Sequence, residues 1–188
     1  MHRLKAITPL GGTSPQIDRF DGLVISENVD RALASVAARQ GQDVACSAAV
    51  LDQLRLPLPK PGKWSVEAAY MAWWMGPDLW MVDADHTDHE LLAVNVKRAV
   101  GGTGSVAEQT DGWCRFDVSG VRVLDVLERL CNLNLRAGEA GDAHRAVIEH
   151  LGCFVLCLET GRKYAVIGPR SSAGSLHHAL LTTAQSVI

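Results

Sequence analysis

The spacing of apolar residues changes several times along this chain and is most regular in its last third. In residues 119–131, apolar side chains recur three and four positions apart, which predicts an amphipathic helix with Ser119 as its N-cap. A last helix, predicted from Ser171 to about Gln185, has an apolar stripe made of Ala173, Leu176, Leu180 and Ala184. Four short, largely apolar runs are typical of strands: residues 113–118, 145–151, 153–159 and 163–168.

The middle of the chain predicts two hairpins with a helix between them. Residues 64–74 and 79–82 are predicted strands on either side of a Gly-Pro-Asp turn. Residues 105–109 and 113–118 are expected to pair across an Asp-Gly turn. The intervening residues 88–100 have a helical stripe, with basic residues near the end and two glycines after it.

The N-terminal third predicts irregular chain and short helices. Residues 1–22 contain several glycines and prolines, which favours an extended segment. Residues 28–40 have apolar side chains at helical spacing followed by a glycine, and a second short helix is possible over residues 45–54. Three closely spaced prolines follow. We therefore place a boundary there, between an arm over residues 1–62 and a main domain over residues 63–188.

This order of elements predicts an α+β fold. Hairpins are mixed with helices, and no repeating strand–helix–strand rhythm of a parallel sheet occurs. We expect an antiparallel or mixed sheet with helices packed on it, preceded by the N-terminal arm. The sequence contains no repeat of fixed period and no low-complexity segment.

Composition narrows the function classes. Eighteen basic residues stand against 21 acidic ones, without the basic face that a nucleic-acid partner usually requires. No apolar run approaches the roughly 20 residues of a membrane span, and the N-terminus does not resemble a signal peptide. Five cysteines are an odd number and fit buried thiols in a reducing compartment. We expect a cytoplasmic protein without a nucleic-acid or membrane partner.

The densest polar cluster lies in residues 83–90. Its carboxylates and the imidazoles of His86 and His89 could bind a divalent metal. Acidic residues are also common where a helix begins, and Thr87 with Glu90 fits a capping box. We favour the helix entrance over a metal site.

Other candidate chemistry is weak. Cys153 and Cys157 lie four apart in a predicted strand, about 13 Å from each other, which is too far to share one metal ion. The glycines of residues 101–104 follow a predicted helix, whereas a phosphate-binding loop precedes one. No nucleophile with a placed base is recognisable. We therefore expect no catalytic, cofactor-binding or metal-binding residue in this chain.

Aromatic and cationic residues suggest contact surfaces instead. Trp73 and Trp74 are adjacent in a predicted strand, so their side chains point to opposite faces. The outer one is either an interface residue or covered by another part of the chain, and Arg170 is expected to pair with an acid of the same domain. The interface candidates are Trp73, Trp74, Trp80, Arg170, His177 and His178.

Several segments together resemble the gamma subunit of heterotetrameric sarcosine oxidase. Their order and spacing carry the resemblance, since no single segment is diagnostic. The segments are residues 33–41, 56–59, 76–82, 117–135 and 164–176. The hairpin at 76–82 and the unit at 117–135 are also similar to the N-terminal part of the glycine-cleavage T-protein and other folate-binding aminomethyltransferases.

The resemblance implies a non-catalytic subunit of a complex with alpha, beta and delta chains. Such a complex oxidises sarcosine to glycine, with formation of hydrogen peroxide and methylene-tetrahydrofolate. FAD, FMN, NAD, tetrahydrofolate and zinc are then expected in the partner subunits, and none in this chain. Two alternatives remain: a subunit of an N-methylglutamate dehydrogenase-type complex, and a stand-alone folate-binding or aminomethyltransferase-like protein.

Overall fold

The computed structural model describes residues 5–188, which form two compact α+β units. One unit contains residues 5–29, 111–140 and 144–188, and the other contains residues 30–110 and 141–143. We call them the six-stranded unit and the five-stranded unit, after the sheet that each contains. Among these residues, no helix is both long and apolar enough to cross a membrane.

The six-stranded unit has a sheet in the order β1-β2-β8-β11-β10-β9 with helices α3 and α4 on one face. Its strands are β1 (Ile17–Phe20), β2 (Leu23–Asn28), β8 (Trp113–Ser119), β9 (Ala143–Ile148), β10 (Leu151–Glu159) and β11 (Lys163–Pro169). Its helices are α3 (Val123–Leu130) and α4 (Ala173–Val187). The strands β1, β2, β8, β11 and β10 are joined by antiparallel pairing.

The core of this unit lies between the sheet and its two helices. Phe116 and Val118 of β8 face it, and the apolar stripe of α4 packs onto it as expected from the spacing. Tyr164 is fully buried there, and its hydroxyl donates to the Leu135 carbonyl over 3.3 Å. A buried tyrosine with a hydrogen-bond partner costs little, because its polar group is not left unsatisfied.

The five-stranded unit has an antiparallel sheet in the order β4-β5-β6-β3-β7 with helices α1 and α2 on one face. Its strands are β3 (Arg31–Ala38), β4 (Trp64–Glu67), β5 (Tyr70–Gly76), β6 (Leu79–Asp85) and β7 (Gly104–Glu108). Its helices are α1 (Asp43–Leu54) and α2 (Leu92–Val100). Small residues dominate the helix-facing side of its sheet: Ala32, Ala34, Ala72 and Ala84.

The two units repeat one arrangement that the sequence does not reveal. In each unit the chain passes from a central strand (β3 or β8) to a helix, an edge strand (β4 or β9), a hairpin (β5–β6 or β10–β11) and a second helix. In the sheet, the hairpin lies on one side of the central strand, and one further strand lies on its other side. In the five-stranded unit this further strand is β7, which follows the second helix. In the six-stranded unit it is β2, which comes from the N-terminal end of the chain.

The helix expected over residues 28–40 is wrong, since this segment is the strand β3. The side chains of Ala32, Ala34 and Val36, at every second position of the strand, all point into the core on the helix-facing side. Leu33, on the other face of the sheet, is also buried. A strand buried on both faces loses its polar positions, so its alternation is hidden and a helical stripe fits equally well.

The expected second hairpin is also wrong. Residues 105–109 and 113–118 correspond to β7 and β8, which belong to different sheets. A short 3-10 turn, Thr110–Gly112, lies between them. An Asp-Gly pair therefore marks a turn here without joining two paired strands.

Both helices with expected side-chain caps begin later than expected. Helix α2 begins at Leu92, and no side chain caps its backbone, so the capping box of Thr87 and Glu90 is wrong. Helix α3 begins at Val123, while Ser119 remains in strand β8. Cap motifs in sequence fail here because the strand and turn contacts decide where each helix can start.

The α+β class with antiparallel sheets is confirmed, but the N-terminal segment is more regular than expected. Ile17–Phe20 and Leu23–Asn28 are strands of the six-stranded unit, and the helix expected over residues 45–54 is α1. The division of the chain differs from the expected boundary after residue 62. Strands from the first 62 residues belong to both units, because sheet pairing follows spatial neighbours and not chain order.

Candidate functional site

The three tryptophans proposed as contact residues belong to the hairpin β5–β6. Trp73 is fully buried on the sheet face opposite α1 and α2, so it offers no exposed surface. Trp80 is almost buried, and its indole N–H donates to the Pro59 carbonyl over 2.9 Å. Trp74, which pairs with Trp80 in the register, is partly exposed. Trp74 is therefore the tryptophan of this set that a partner can most readily reach.

The cationic candidates lie at the start of α4 in the six-stranded unit. Arg170 donates to the Ile7 carbonyl over 2.9 Å and lies 3.9 Å from the Asp111 carboxylate, an acid of the same unit as expected. His177 is 2.7 Å from the Asp18 carboxylate and stacks on the Phe116 ring. His177 thus ties α4 to β1, and Arg170 ties the start of α4 to the segment that precedes β1, which is a structural role for both side chains.

His178 is exposed and lies about 100° around α4 from His177. Its ring nitrogen lies 3.5 Å from the Thr182 hydroxyl, one turn along the helix. It also lines an open groove of about 500 Å³ together with Glu149 and Ser175. The two adjacent histidines therefore do not act on one ligand, as the 100° rotation between helical neighbours implies.

The polar cluster of residues 83–90 is dispersed by the fold. Asp83 is fully buried and pairs with Arg31 at 2.5 Å. The ring of His89 packs edge-on against Tyr70, and the Thr87 backbone N–H donates to the Asp85 carboxylate. Throughout residues 5–188, no group of three or more His, Cys, Asp or Glu side chains is placed to hold a metal ion.

All five cysteines are buried free thiols. Burial raises the pKa of Cys114 and of Cys153 to about 11, because removal from water disfavours the thiolate. Burial also raises the pKa of Cys46 and of Cys131. A thiol that stays protonated at neutral pH is a poor nucleophile and a poor metal ligand.

A buried ionic network on β8 was missed by the sequence reasoning. The Asp117 carboxylate, which is 7% exposed, accepts from Arg115 at 2.7 Å and from the Asn28 amide at 3.3 Å. Lys163 of β11 lies 3.6 Å away. The one available signal was a single acid between two apolar residues of a predicted strand. Such a residue needs partners when it is buried.

A second missed residue is Glu27, which is 4% exposed. Its two carboxylate oxygens accept from the backbone N–H groups of Leu10 and Gln16, at 2.9 and 3.1 Å. The carboxylate thereby fixes the irregular segment that precedes β1. Charge-assisted bonds of this kind are stronger than neutral ones, so Glu27 stabilises the segment.

An open groove of about 730 Å³ lies between the C-terminal end of α3 and the edge strand β9. Two arginines, Arg129 and Arg145, line it together with the exposed Asn132 and Val147. Arg145 also lies over the ring of Phe154, 5.9 Å from its centroid. No sequence pattern predicts this groove, because its two sides are separated along the chain.

These features support binding and packing more than chemistry. The buried carboxylates are held by arginine, lysine or backbone N–H groups, and burial raises the pKa of Cys114 and Cys153 to about 11. None of these arrangements pairs a nucleophile with a base in the way that covalent catalysis requires. What the surface offers is a basic groove beside a sheet edge.

No family model matches this chain, and no curated protein matches it. Among solved structures, the heterotetrameric sarcosine oxidase from Corynebacterium sp. U-96, in complex with pyrrole 2-carboxylate, contains a chain with a TM-score of 0.74 and 16% identity. The alignment covers 88% of this chain and 85% of that one. Aminomethyltransferase T of the glycine cleavage system from Bartonella henselae has a TM-score of 0.61 and 15% identity. That alignment covers 82% of this chain and 44% of the transferase.

Identities this low establish a shared fold and not a shared activity. The resemblance noted in the sequence is confirmed at that level. This chain has the fold of a chain from a sarcosine oxidase heterotetramer and of part of an aminomethyltransferase.

Proposed function

We propose that this chain is the gamma-type, non-catalytic subunit of a heterotetrameric sarcosine oxidase. The observation that carries the proposal is the alignment with the Corynebacterium complex, which spans most of both chains. The alignment covers 88% of this chain and 85% of the other, so the two chains are of similar length. The match therefore concerns a small chain of the heterotetramer as a whole, not a domain of a large one.

The chemistry of the described residues supports a non-catalytic role. Their buried carboxylates are engaged in internal bonds, and burial raises the pKa of four thiols above its ordinary value. We infer that the oxidation of the amine takes place in other subunits. On this view FAD, FMN, NAD, tetrahydrofolate and zinc belong to alpha, beta and delta chains, and the assembly works in the cytoplasm.

Co-purification tests this proposal. A tagged full-length chain is expressed in its source cells and isolated on a sizing column with absorbance read at 280 and 450 nm. We expect it to elute with larger chains that absorb at 450 nm and convert sarcosine to glycine. A chain that elutes alone, or oxidase turnover by the isolated chain, would contradict the proposal.

The substrate of the complex requires a separate assay, because a related assembly of the N-methylglutamate dehydrogenase type is an alternative. The purified complex is supplied with sarcosine and with N-methylglutamate at equal concentration. We expect a higher kcat/KM for sarcosine. The reverse order would retain the subunit role and replace the substrate.

The likeness to aminomethyltransferase T favours a second candidate, a stand-alone folate-binding protein. The chain spans less than half of that transferase. Calorimetry of the isolated chain with tetrahydrofolate separates the two candidates. We expect no binding, whereas a micromolar Kd would favour the stand-alone function.

A further inference from the structure

The free edge of β9 presents unpaired backbone groups. This strand is the outermost of the six-stranded sheet, with β10 as its neighbour. The Ala143 N–H donates to the Gly62 carbonyl and not to β10. Since alternate residues of an antiparallel strand direct their N–H and C=O groups to the same side, those of Arg145 and Val147 point away from β10.

Part of this edge is open. Asp142 bridges to Lys63 and the Ala143 N–H donates to Gly62, which leaves residues 145–148 of β9 available. Among them Val147 is 63% exposed, and no proline interrupts the strand. Natural edges are commonly protected, so an open edge with an exposed apolar side chain fits a pairing site.

The groove beside this edge is basic. Within residues 5–188, neither Arg129 nor Arg145 forms an ion pair, while the acid that lines the groove, Glu128, is bound by Arg136 at 2.8 Å. His144 is exposed next to Arg145. Arg129 lies at the end of α3, whereas the Arg145 guanidinium lies over Phe154 on the other face of the sheet, so the two positive charges flank the edge on both sides. The groove therefore favours carboxylates on whatever lies along β9.

We propose that the edge of β9 binds an extended, acidic segment of a partner polypeptide as a further strand of the sheet. Its backbone pairs with Arg145 and Val147. Residues two apart in a strand share a face, so an acidic side chain opposite Arg145 is followed on that face by an apolar one opposite Val147. An acidic side chain on the other face of the added strand contacts Arg129 at the end of α3. This combination of main-chain pairing with side-chain selection is how strand addition obtains both affinity and specificity. The inference goes beyond the proposed subunit role, because the site is independent of which complex the chain joins.

A nucleic acid is the less suitable occupant. Two arginines on one short edge provide few phosphate contacts, and the chain as a whole is acidic. The unpaired N–H and C=O groups of a strand are complementary to another strand and not to a sugar–phosphate backbone. We therefore make an oligonucleotide an outcome of the test.

The test uses the full-length chain and three labelled probes in fluorescence anisotropy. The probes are a capped peptide that repeats Glu-Glu-Val-Glu, the same peptide with Lys in place of Glu, and a single-stranded oligothymidine of similar length. We expect saturable binding of the Glu peptide, weakened by salt, and none of the Lys peptide. Equal binding of both peptides, stronger binding of the oligonucleotide, or no binding of the Glu peptide would overturn the proposal.

Variants locate the binding site. Arg145→Glu is expected to weaken binding of the Glu peptide by roughly tenfold, because one charge contact becomes a repulsion. Val147→Pro removes an edge N–H and is expected to weaken binding to a similar extent. The matched control is Arg19→Glu, which makes the same change of charge on β1, at the other edge of the same sheet. An equal loss for Arg19→Glu would overturn the proposal.

Two measurements keep the outcomes distinct. Circular dichroism spectra and melting curves identify any variant that fails to fold, and Arg145→Glu retains the backbone donor that Val147→Pro removes. Binding of the Glu peptide by the isolated chain supports the strand-addition site even if no flavin-bearing partner is found. Conversely, co-purification with such a partner that Arg145→Glu leaves intact supports the subunit role alone.

Discussion

The six-stranded and five-stranded units share one arrangement of strands and helices, yet they fill it differently. Between its sheet and helices the six-stranded unit buries large side chains, such as Phe116 and Tyr164, and four of the five cysteines. In the five-stranded unit the corresponding space is lined mainly by alanine and valine. The same order of strands and helices can therefore enclose a core of large side chains or a core of small ones. The residues that face the helices along each strand decide which.

Their buried charges differ in the same way. In the five-stranded unit, Asp83 has no exposed surface and is paired with Arg31. In the six-stranded unit, Asp117 contacts Arg115, Asn28 and Lys163. The Asp83 side chain has no exposed surface, whereas 10% of the Asp117 side chain is exposed, so a lost cationic partner should cost more at Asp83. The two units should thus respond unequally to matched substitutions.

The largest expected effect is alkaline destabilisation of the six-stranded unit. Burial raises the pKa of Cys114 and Cys153 from 9.0 to about 11. The folded chain therefore retains protons that the unfolded chain releases, and stability is full below pH 9 and falls between about pH 9 and 11. Each thiol should lower the free energy of unfolding by about 1.4 kcal/mol per pH unit in this window.

Urea unfolding at several pH values measures this loss. The control is the double variant Cys114→Ala/Cys153→Ala, whose stability should fall less steeply over the same range. Parallel curves for the two proteins would show that the thiols do not carry the effect.

Truncation of a core side chain should lower the free energy of unfolding most in the six-stranded unit, whose core contains large aromatic rings. Phe116→Ala is expected to lower the free energy of unfolding by about 4 kcal/mol, because it leaves a cavity beneath α4. Val36→Ala, at a fully buried site of the five-stranded unit, should cost about 2 kcal/mol. Urea denaturation followed by circular dichroism compares them. Equal costs would contradict the difference between the two cores.

Removal of one buried charge should separate the two ionic arrangements. Arg31→Met leaves Asp83 buried and is expected to cost about 3 kcal/mol. Arg115→Met should cost about 1 kcal/mol, because Asp117 keeps Asn28 and Lys163. Thermal unfolding of both variants provides the measurement, and a larger loss for Arg115→Met would reverse the interpretation.

Overpacking should be the mildest of these effects. Here the order of the units reverses, since the five-stranded unit should lose more stability than the six-stranded unit. Ala34→Leu adds volume to the tight core of the five-stranded unit and is expected to cost about 2 kcal/mol. Ala146→Leu in the six-stranded unit borders the open groove and should cost less than about 1 kcal/mol. Chemical denaturation of the two variants compares them. A costlier Ala146→Leu would mean that the groove is not open.

The elements of the last third were predictable because their patterns were unambiguous. The stripe of α4 and the runs that form β8, β10 and β11 lie where the sequence placed them. In β3, by contrast, burial of both faces removed the alternation that would have distinguished a strand from a helix. Prediction was thus limited by how much contrast between polar and apolar positions each element retained.

The candidate site was less predictable than the fold. Trp73 was proposed as a possible contact and is fully buried, while the groove at β9 went unnoticed. Burial of a tryptophan depends on what covers its sheet face, and a groove depends on two segments meeting. Neither quantity is encoded in local periodicity.

By itself, the sequence determined which segments could bury an apolar face, that the class is α+β, and that recognisable catalytic patterns are missing. The tertiary structure alone decided which strands share a sheet. It brought Asn28 to Asp117, 89 positions away, and Asp18 to His177, 159 positions away. Local spacing sets what a segment can bury, whereas partners distant in the chain are chosen by the packing of the whole unit, because burial of charge and volume is satisfied only in three dimensions.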